Sequence, residues 1–255
     1  MTQQEILAKN PMNSIPMIKK SNFMAAQNKE NLPTQETVTV FTPEEIEKFK
    51  AEAFSKFSNG KPKYQQPAAY ILMLNTGLRT GELLGLLNSD INLEDRYLEV
   101  RQNVKEVCRR EGTGYVPGRE AKVGKTKTAT SKRRVPLNGA AVQAIRELRQ
   151  ERDFGPTAPL VSDEKGGYTR PVNFCKRYYR ILKAVGMEQR GLHSLRHHFA
   201  TQPINGVKQP DGTILALSPR QVADLLGHSI SQITGMCYVK KDTTRLQGIT
   251  DGFNF

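Results

Sequence analysis

The fold is decided by two stretches near the end of the chain: H-S-L-R-H-H-F-A-T at residues 193–201, and S-P-R-Q-V-A-D-L-L-G-H-S-I-S-Q-I-T-G-M-C-Y at residues 218–238. His193, Arg196 and His197 are spaced i, i+3 and i+4, so on a helix they share one face. Arginine presents a planar fork of donors that suits phosphate oxygens, and imidazole exchanges protons near neutral pH. The pattern predicts a site that handles phosphate groups and protons.

The second stretch begins with the signature of a helix start. Ser218 and Gln221 form a capping box with proline at the first helical position. Gly227 is suited to end that helix, and His228 follows it directly. Tyr238 comes ten residues after this histidine. We therefore expect a phosphate ligand, imidazoles and a phenol within one compact unit.

Taken in order, these residues resemble the catalytic motif of the tyrosine recombinases, the phage-type integrases. The shared pattern is H-x-L-R-H-x-x-A-T, then L-L-G-H-S, then the tyrosine. Each residue alone has an ordinary interpretation, as a packed histidine, a surface arginine or a packed tyrosine, but the ordered set is much more specific. The amino-acid sequences of residues 195–201 and 131–137 are most similar to those of integrases of Gram-positive mobile elements.

An earlier motif, N-T-G-L-R-T-G-E-L-L-G-L at residues 75–86, follows an apolar segment that predicts a central core helix. This motif is similar to the first arginine box of the same family. The resemblance implies that Arg79 binds phosphate and that Glu82 supports the site. Without it, Arg79 would be interpreted as a charge near a helix end, and Glu82 as a surface residue.

The positive charge of the chain is concentrated in one segment. The 255 residues include 38 Lys and Arg against 25 Asp and Glu, a net charge of +13, and residues 101–134 alone hold a net +8. Such an imbalance indicates a polyanionic partner, most often nucleic acid. A solvated charged hairpin is the ordinary alternative. The residues interpreted as DNA-binding are Lys125, Lys132, Arg133, Arg134, Lys176 and Arg177.

Two short segments of this basic region, 126–128 and 132–137, resemble the second and third strands of the family's small sheet. In the family, a lysine from the turn between these strands reaches into the cleft. Lys127 fits that position best by its distance from the Val-Pro-Leu strand. Lys125 and Lys132 remain competitors for the role.

The periodicities predict an α+β fold that is mainly helical, and the resemblance implies a tyrosine-recombinase catalytic domain with a small three-stranded antiparallel sheet. Leu98 and Val100 alternate with Glu99 and Arg101, as expected of a half-buried strand. The expected organisation is 1–28 as the tail of a preceding core-DNA-binding helical domain, 29–41 as a linker, 42–238 as the catalytic domain, and 239–255 as a tail that docks on a neighbouring protomer.

Helical periodicity predicts most of the remaining elements. A capping box at Thr42–Glu45 starts a helix that is expected to end at residues 59–62. Its apolar stripe is expected to contain Ile46, Phe49, Phe54 and Phe57. Further helices are predicted at 67–74, 140–151 and 172–185. Residues 202–217 are interpreted as a surface insertion with no assigned role, and a short hairpin is the alternative for its structure.

Other function classes find little support in the sequence. The longest fully apolar run, 68–74, is far too short to span a membrane. The three cysteines are odd in number and widely separated, which indicates reduced thiols in a cytoplasmic protein. His193 and His197 have metal-ligand spacing, but Arg196 lies where it would repel a cation. No metal and no cofactor are expected.

The resemblance implies a reaction that cuts and rejoins DNA without metal or ATP. Tyr238 attacks the scissile phosphate, which gives a 3′-phosphotyrosine and a 5′-hydroxyl. Lys127 protonates the leaving oxygen, His193 takes the tyrosine proton, and the remaining cations offset the charge on the phosphate. The implied catalytic set is Arg79, Lys127, His193, Arg196, His228 and Tyr238, supported by Glu82 and His197.

The implied partner is double-stranded DNA at attachment or core sites, bound by a homotetramer when two sites are synapsed and by a protein that is monomeric when free. Three alternatives stay open at this point. A type IB topoisomerase uses similar arginines, histidine and tyrosine. A non-catalytic DNA-binding module could share the same ancestry. A ribonuclease would use the histidines and leave Tyr238 without a role.

Overall fold

The computed structural model describes residues 40–112, 114–125, 132–208 and 213–227. Within these ranges the fold is α+β and mainly helical, as the sequence predicts. The α-helices are α1 (Pro43–Ala53), α2 (Ala68–Thr76), α3 (Thr80–Gly85), α4 (Gly139–Glu151), α5 (Pro171–Ala184), α6 (His193–Asn205) and α7 (Pro219–Leu226). The strands are β1 (Ile91–Asn92), β2 (Tyr97–Val100), β3 (Gln102–Glu111), β4 (Gly114–Lys125), β5 (Arg133–Pro136), β6 (Val207–Lys208) and β7 (Ile214–Leu215).

Helix α2 lies at the centre of the core. It is apolar on most faces, and Tyr70, Leu72 and Met73 are fully buried. It packs against α4 on one side and α6 on another. Gly77 ends the helix in the left-handed conformation, with φ of 62°. A Cβ at Gly77 would lie 2.4 Å from the Phe199 ring, so glycine is required for the close approach as well as for the turn.

The three-stranded antiparallel sheet is present, in the order β1-β2-β5. Leu98 of β2 is fully buried and pairs with Val135 of β5, so the predicted alternation along residues 97–100 is confirmed. The sheet includes one strand that the sequence analysis did not predict, β1. The segment 126–128, which resembles a strand of this sheet in the family, lies outside the described residues. Strands β3 and β4 form a separate long hairpin that carries much of the basic segment.

The apolar stripe predicted for helix α1 is wrong at the C-terminal end of the helix. The helix starts at the expected capping box of Thr42 and Glu45 but stops at Ala53, which is buried. Ala53 supplies the last apolar position of the stripe, seven residues after Ile46. Phe54 and Phe57 lie beyond the helix and are 42% and 54% exposed. The chain turns there because a backbone hydrogen bond closes the loop, with the Phe57 N–H donating to the Lys61 carbonyl.

The later helices agree with the sequence within a residue or two. Helix α7 begins with the predicted Ser218–Gln221 capping box and ends at Gly227, which is left-handed with φ of 64°. The insertion between α6 and α7 contains a two-residue antiparallel pair, β6 with β7, so the alternative of a short hairpin is confirmed. No helix in the described ranges is long and apolar enough to cross a membrane.

Candidate functional site: arginines around a buried carboxylate

The candidate site is built around the Glu82 carboxylate at the start of helix α3. Glu82 is 4% exposed. It caps its own helix by accepting from the Arg79 backbone N–H at 2.9 Å, and it accepts from Arg79 Nη1 at 2.8 Å. Arg133, from strand β5, donates to both carboxylate oxygens at 3.1 and 3.0 Å. Arg196 Nη1, from helix α6, lies 3.8 Å from Glu82 Oε2. Three arginines from distant parts of the chain therefore meet at one acid.

The neighbouring arginines keep the Glu82 carboxyl ionised. Burial by itself would raise the pKa of the Glu82 carboxyl, because the charged form loses its hydration. The hydrogen bonds and the charge of Arg133 outweigh that effect, and together with Arg79 they lower the pKa of Glu82 to about 2. Glu82 is thus an anion at neutral pH. The expectation that Glu82 supports the site remains a prediction.

Arg79 and Arg196 differ in their surroundings. Arg79 keeps its side chain 40% exposed although it is tied to Glu82, so its remaining donors can reach a bound phosphate. Arg196 is fully buried and donates to the carbonyls of Gly77 and Leu226, the residues at the ends of α2 and α7. These carbonyls fix the guanidinium where three helices meet. Contact between Arg196 and a phosphate requires a change in its surroundings.

His193 and His197 lie next to each other on one face of α6, as the i, i+4 spacing predicts. The ring centroids of His193 and His197 are 4.4 Å apart, with the rings perpendicular. Desolvation, Arg196 and Arg79 lower the pKa of His193. Desolvation, His193 and Arg196 lower the pKa of His197 to about 4. Both imidazoles are therefore neutral at pH 7 and able to accept a proton.

We predict that acid weakens the fold through these histidines. A histidine with a folded pKa below its unfolded value binds fewer protons when folded, so the free energy of unfolding falls as the pH drops from about 6.5 toward 4. Replacing His197 by Gln removes one such group and should make the pH dependence shallower. Urea unfolding at several pH values in this window gives the free energy of unfolding as a function of pH for the two proteins. An equal dependence on pH in both proteins would contradict the prediction.

The residues interpreted as DNA-binding fall into two groups. Lys132, Arg134 and Lys176 are exposed, although Arg134 also donates to Glu99. Arg177 is half-buried and donates to the Gln65 carbonyl. Arg133 is buried against Glu82, which differs from the DNA-facing position expected of it. The described part of Lys125 is its backbone, at the end of β4.

The inward position of Arg133 was missed, although the sequence contained a signal for it. Side chains two residues apart on a strand point to the same face of a sheet. Val135 is an apolar residue in the strand-like segment 132–137, and it is 1% exposed. Arg133 shares its face, so the alternation along β5 already indicated an inward-facing arginine.

Several predicted site residues lie outside the described residues. These are Lys127, His228 and Tyr238, together with the expected domain tail 1–28, almost all of the linker 29–41, and the tail 239–255. Their roles remain predictions. Among the residues that are described, no cluster of three or more His, Cys, Asp or Glu side chains has the arrangement of a metal site.

Comparison with known families gives a match over most of the chain. A model described as the phage integrase family matches residues 40–245. Among individual proteins, a tyrosine recombinase XerC-like protein of Caldanaerobacter subterraneus subsp. tengcongensis is 29% identical over 235 residues, which cover 83% of this chain and 57% of that protein. The chain therefore spans little more than half the length of this relative.

Solved structures show the same fold. The Tn1549 transposon integrase in complex with circular intermediate DNA aligns with a TM-score of 0.66 at 20% identity, over 91% of this chain and 76% of that one. A lambda integrase tetramer bound to a Holliday junction aligns with a TM-score of 0.51 at 19% identity, over 79% of this chain and 48% of that one. The architecture described above is the one these proteins share.

Proposed function

Because this chain belongs to the phage integrase family, we propose that it carries the catalytic centre of a site-specific DNA recombinase. The observation that supports this most strongly is the meeting of the two arginine motifs, Arg79 and Arg196, at the buried Glu82 carboxylate. A neutral His193 lies on the same helix as Arg196. This combination suits a phosphodiester, whose negative charge grows during attack and whose nucleophile must lose a proton.

The proposed reaction is a transesterification at phosphorus. The Tyr238 oxygen forms a bond to the scissile phosphorus while the bond from phosphorus to the 5′-oxygen breaks. The tyrosine proton passes to His193, and Lys127 gives a proton to the departing 5′-oxygen. The products are a 3′-phosphotyrosine and a 5′-hydroxyl. A 5′-hydroxyl from another strand can reverse these steps, so rejoining needs no ATP.

The cations stabilise the transition state in this scheme. Arg79 clamps the non-bridging oxygens with its exposed donors, Arg196 joins it once its surroundings have changed, and His228 donates to the same charge. Loss of one comparable donor costs about 3–4 kcal/mol in acyl-transfer enzymes, or roughly 100- to 1,000-fold in rate. Glu82 holds the Arg79 guanidinium in place, since the two are joined by a hydrogen bond of 2.8 Å.

The proposed partner is double-stranded DNA, and a tetramer is the proposed assembly on two synapsed sites. The solved relatives include one bound to circular intermediate DNA and one that is a tetramer on a Holliday junction. The exposed basic residues of this chain supply the matching electrostatics.

The experiment that tests the proposed function uses a duplex with a nick near the cleavage point, so that the cut end diffuses away and the intermediate accumulates. A covalent protein–DNA band on this duplex, together with joined recombinants from intact sites, supports a recombinase. Relaxation of a separate, intact supercoiled plasmid without recombinants indicates a topoisomerase instead. A mobility shift with no covalent band indicates a DNA-binding module, and cleavage of RNA alone indicates a ribonuclease.

We predict that cleavage proceeds at its full rate in excess EDTA. The scheme assigns charge compensation to arginine, histidine and lysine side chains, so a divalent cation has no separate task. The rate of covalent-band formation is measured with EDTA and with added Mg²⁺. Loss of the band in EDTA and its return with Mg²⁺ would contradict the mechanism.

We also predict that DNA affinity depends on salt through the exposed basic residues. Lys132→Gln should weaken binding and reduce the salt slope by about 1, the share of a single phosphate contact. Binding titrations at several salt concentrations give the slope. A slope equal to that of the unaltered protein would remove Lys132 from the DNA-binding surface.

A further inference from the structure

Arg133 makes contacts that neither a DNA-binding role nor a surface charge explains. Its side chain is 7% exposed. The two Nη atoms donate to the two oxygens of Glu82, and Nε donates to the Leu225 carbonyl at 3.0 Å. The next residue in the chain, Arg134, is 68% exposed. Strand β5 thus turns one arginine into the protein and presents the other to solvent.

The surroundings are shaped to admit this side chain. Gly227, at the end of helix α7, has no Cβ, and a Cβ there would lie 2.9 Å from Arg133 Cδ. The glycine therefore allows the guanidinium to pass the helix end and reach the Leu225 carbonyl. A buried guanidinium is costly unless its donors are paired, and here a carboxylate and a carbonyl pair them.

The partners of Arg133 connect three parts of the candidate site. Glu82 also binds Arg79, and it lies 3.8 Å from Arg196. Leu225 is three residues before His228 in the sequence. Arg133 itself directly follows the segment 126–132, which contains the candidate general acid Lys127 and its competitor Lys132.

We propose that Arg133 is a positioning residue for the cleavage reaction, which fixes the orientation of Glu82 and ties strand β5 and the end of helix α7 to that carboxylate. This inference rests on the proposed function. Arg133 acts through its neighbours. Glu82 holds Arg79 for the phosphate. In the sequence, Lys127 precedes Arg133 and His228 follows Leu225, the residue whose carbonyl Arg133 binds. A guanidinium is required because its fork matches both carboxylate oxygens while Nε remains available for a third acceptor.

The proposal has a distinctive consequence for pH dependence. Among the residues that the structure describes, the charged groups that face Glu82 are Arg79 at the start of its own helix, Arg133 from β5 and Arg196 from α6. Arg133 exerts the largest lowering influence on the Glu82 pKa, so its removal should raise that pKa. A protonated Glu82 accepts fewer hydrogen bonds from Arg79, so the acid limb of the cleavage rate should move to higher pH.

The test measures single-turnover cleavage of the nicked duplex at saturating DNA over a range of pH. Arg133→Gln is expected to lower the maximal rate on the order of 100-fold, the cost of a small displacement of reacting groups. DNA affinity should change little, and the acid limb should move to higher pH. Arg133→Lys, which keeps the charge but not the fork, should give an intermediate rate. Arg220→Gln, which alters an exposed arginine on α7, should behave like the unaltered protein.

Circular dichroism and thermal unfolding establish that each variant is folded at the assay temperature. If Arg133→Gln does not fold, Arg133→Lys decides the matter by its rate and pH profile. A folded Arg133 variant with the normal rate and the normal acid limb would overturn the inference. If the unaltered protein forms no covalent product, the proposed function has failed instead, whatever the Arg133 variants do.

Discussion

Tyr238→Phe is expected to abolish the covalent protein–DNA product while leaving DNA affinity nearly unchanged. The substitution removes one hydroxyl, and in the proposed reaction this oxygen is the nucleophile. The phosphate clamp and the exposed basic residues are untouched, so binding persists. Covalent product is measured on denaturing gels after incubation with the nicked duplex, and affinity by mobility shift under the same conditions.

The structure supplies a matched control for this substitution. Tyr178 is fully buried, its hydroxyl shares a 3.2 Å hydrogen bond with Ser194, and burial raises its pKa. Tyr178→Phe should therefore leave the covalent product intact if the protein stays folded. A covalent band that persists in Tyr238→Phe would show that the nucleophile lies elsewhere. Tyr179, which is half-buried, would then be the next tyrosine to replace.

Lys127→Ala is expected to slow cleavage of normal DNA by about 100- to 10,000-fold, the usual range for the loss of a general acid. A substrate in which sulfur replaces the 5′-bridging oxygen should recover much of that rate, because a thiolate leaves without a proton. The rates of the variant on the two substrates are compared under single-turnover conditions.

Lys125 and Lys132 provide the controls, since both flank the same short segment. Lys125→Ala and Lys132→Ala should show no special recovery on the sulfur substrate. If Lys125→Ala or Lys132→Ala recovered on the sulfur substrate and Lys127→Ala did not, the lysine replaced in the recovering variant would be the general acid. A large loss in Lys127→Ala on both substrates would mean that Lys127 serves binding or positioning instead.

Much of the fold could be predicted because its signals are local. The capping boxes at Thr42 and Ser218 fix two helix starts with side-chain hydrogen bonds inside four residues. The left-handed glycine Gly227 ends helix α7 at the position expected. Helix α1 was extended too far because Phe54 and Phe57 continue a helical spacing, whereas their exposure depends on how the following loop folds back.

The sequence indicated which residues would lie close together where the family motif names them, and less so where only distant contacts bring residues together. Arg79, Arg196 and Glu82 lie together in the structure, and their roles in the reaction remain predictions. No spacing along the chain indicated that Arg133 would meet Glu82, which is 51 residues away in sequence. The face that Arg133 shares with Val135 indicated an inward side chain, but its partner is fixed only by tertiary packing.

The most direct test of the central claim is the identity of the residue that carries DNA. The covalent product formed on the nicked duplex is digested with protease and nuclease, and the remaining nucleotide-linked peptide is sequenced by mass spectrometry. The proposed mechanism predicts a phosphodiester link between Tyr238 and the 3′ end of the cut strand, with a 5′-hydroxyl on the released fragment. A link to any other residue, or attachment through a 5′-phosphate, would contradict it.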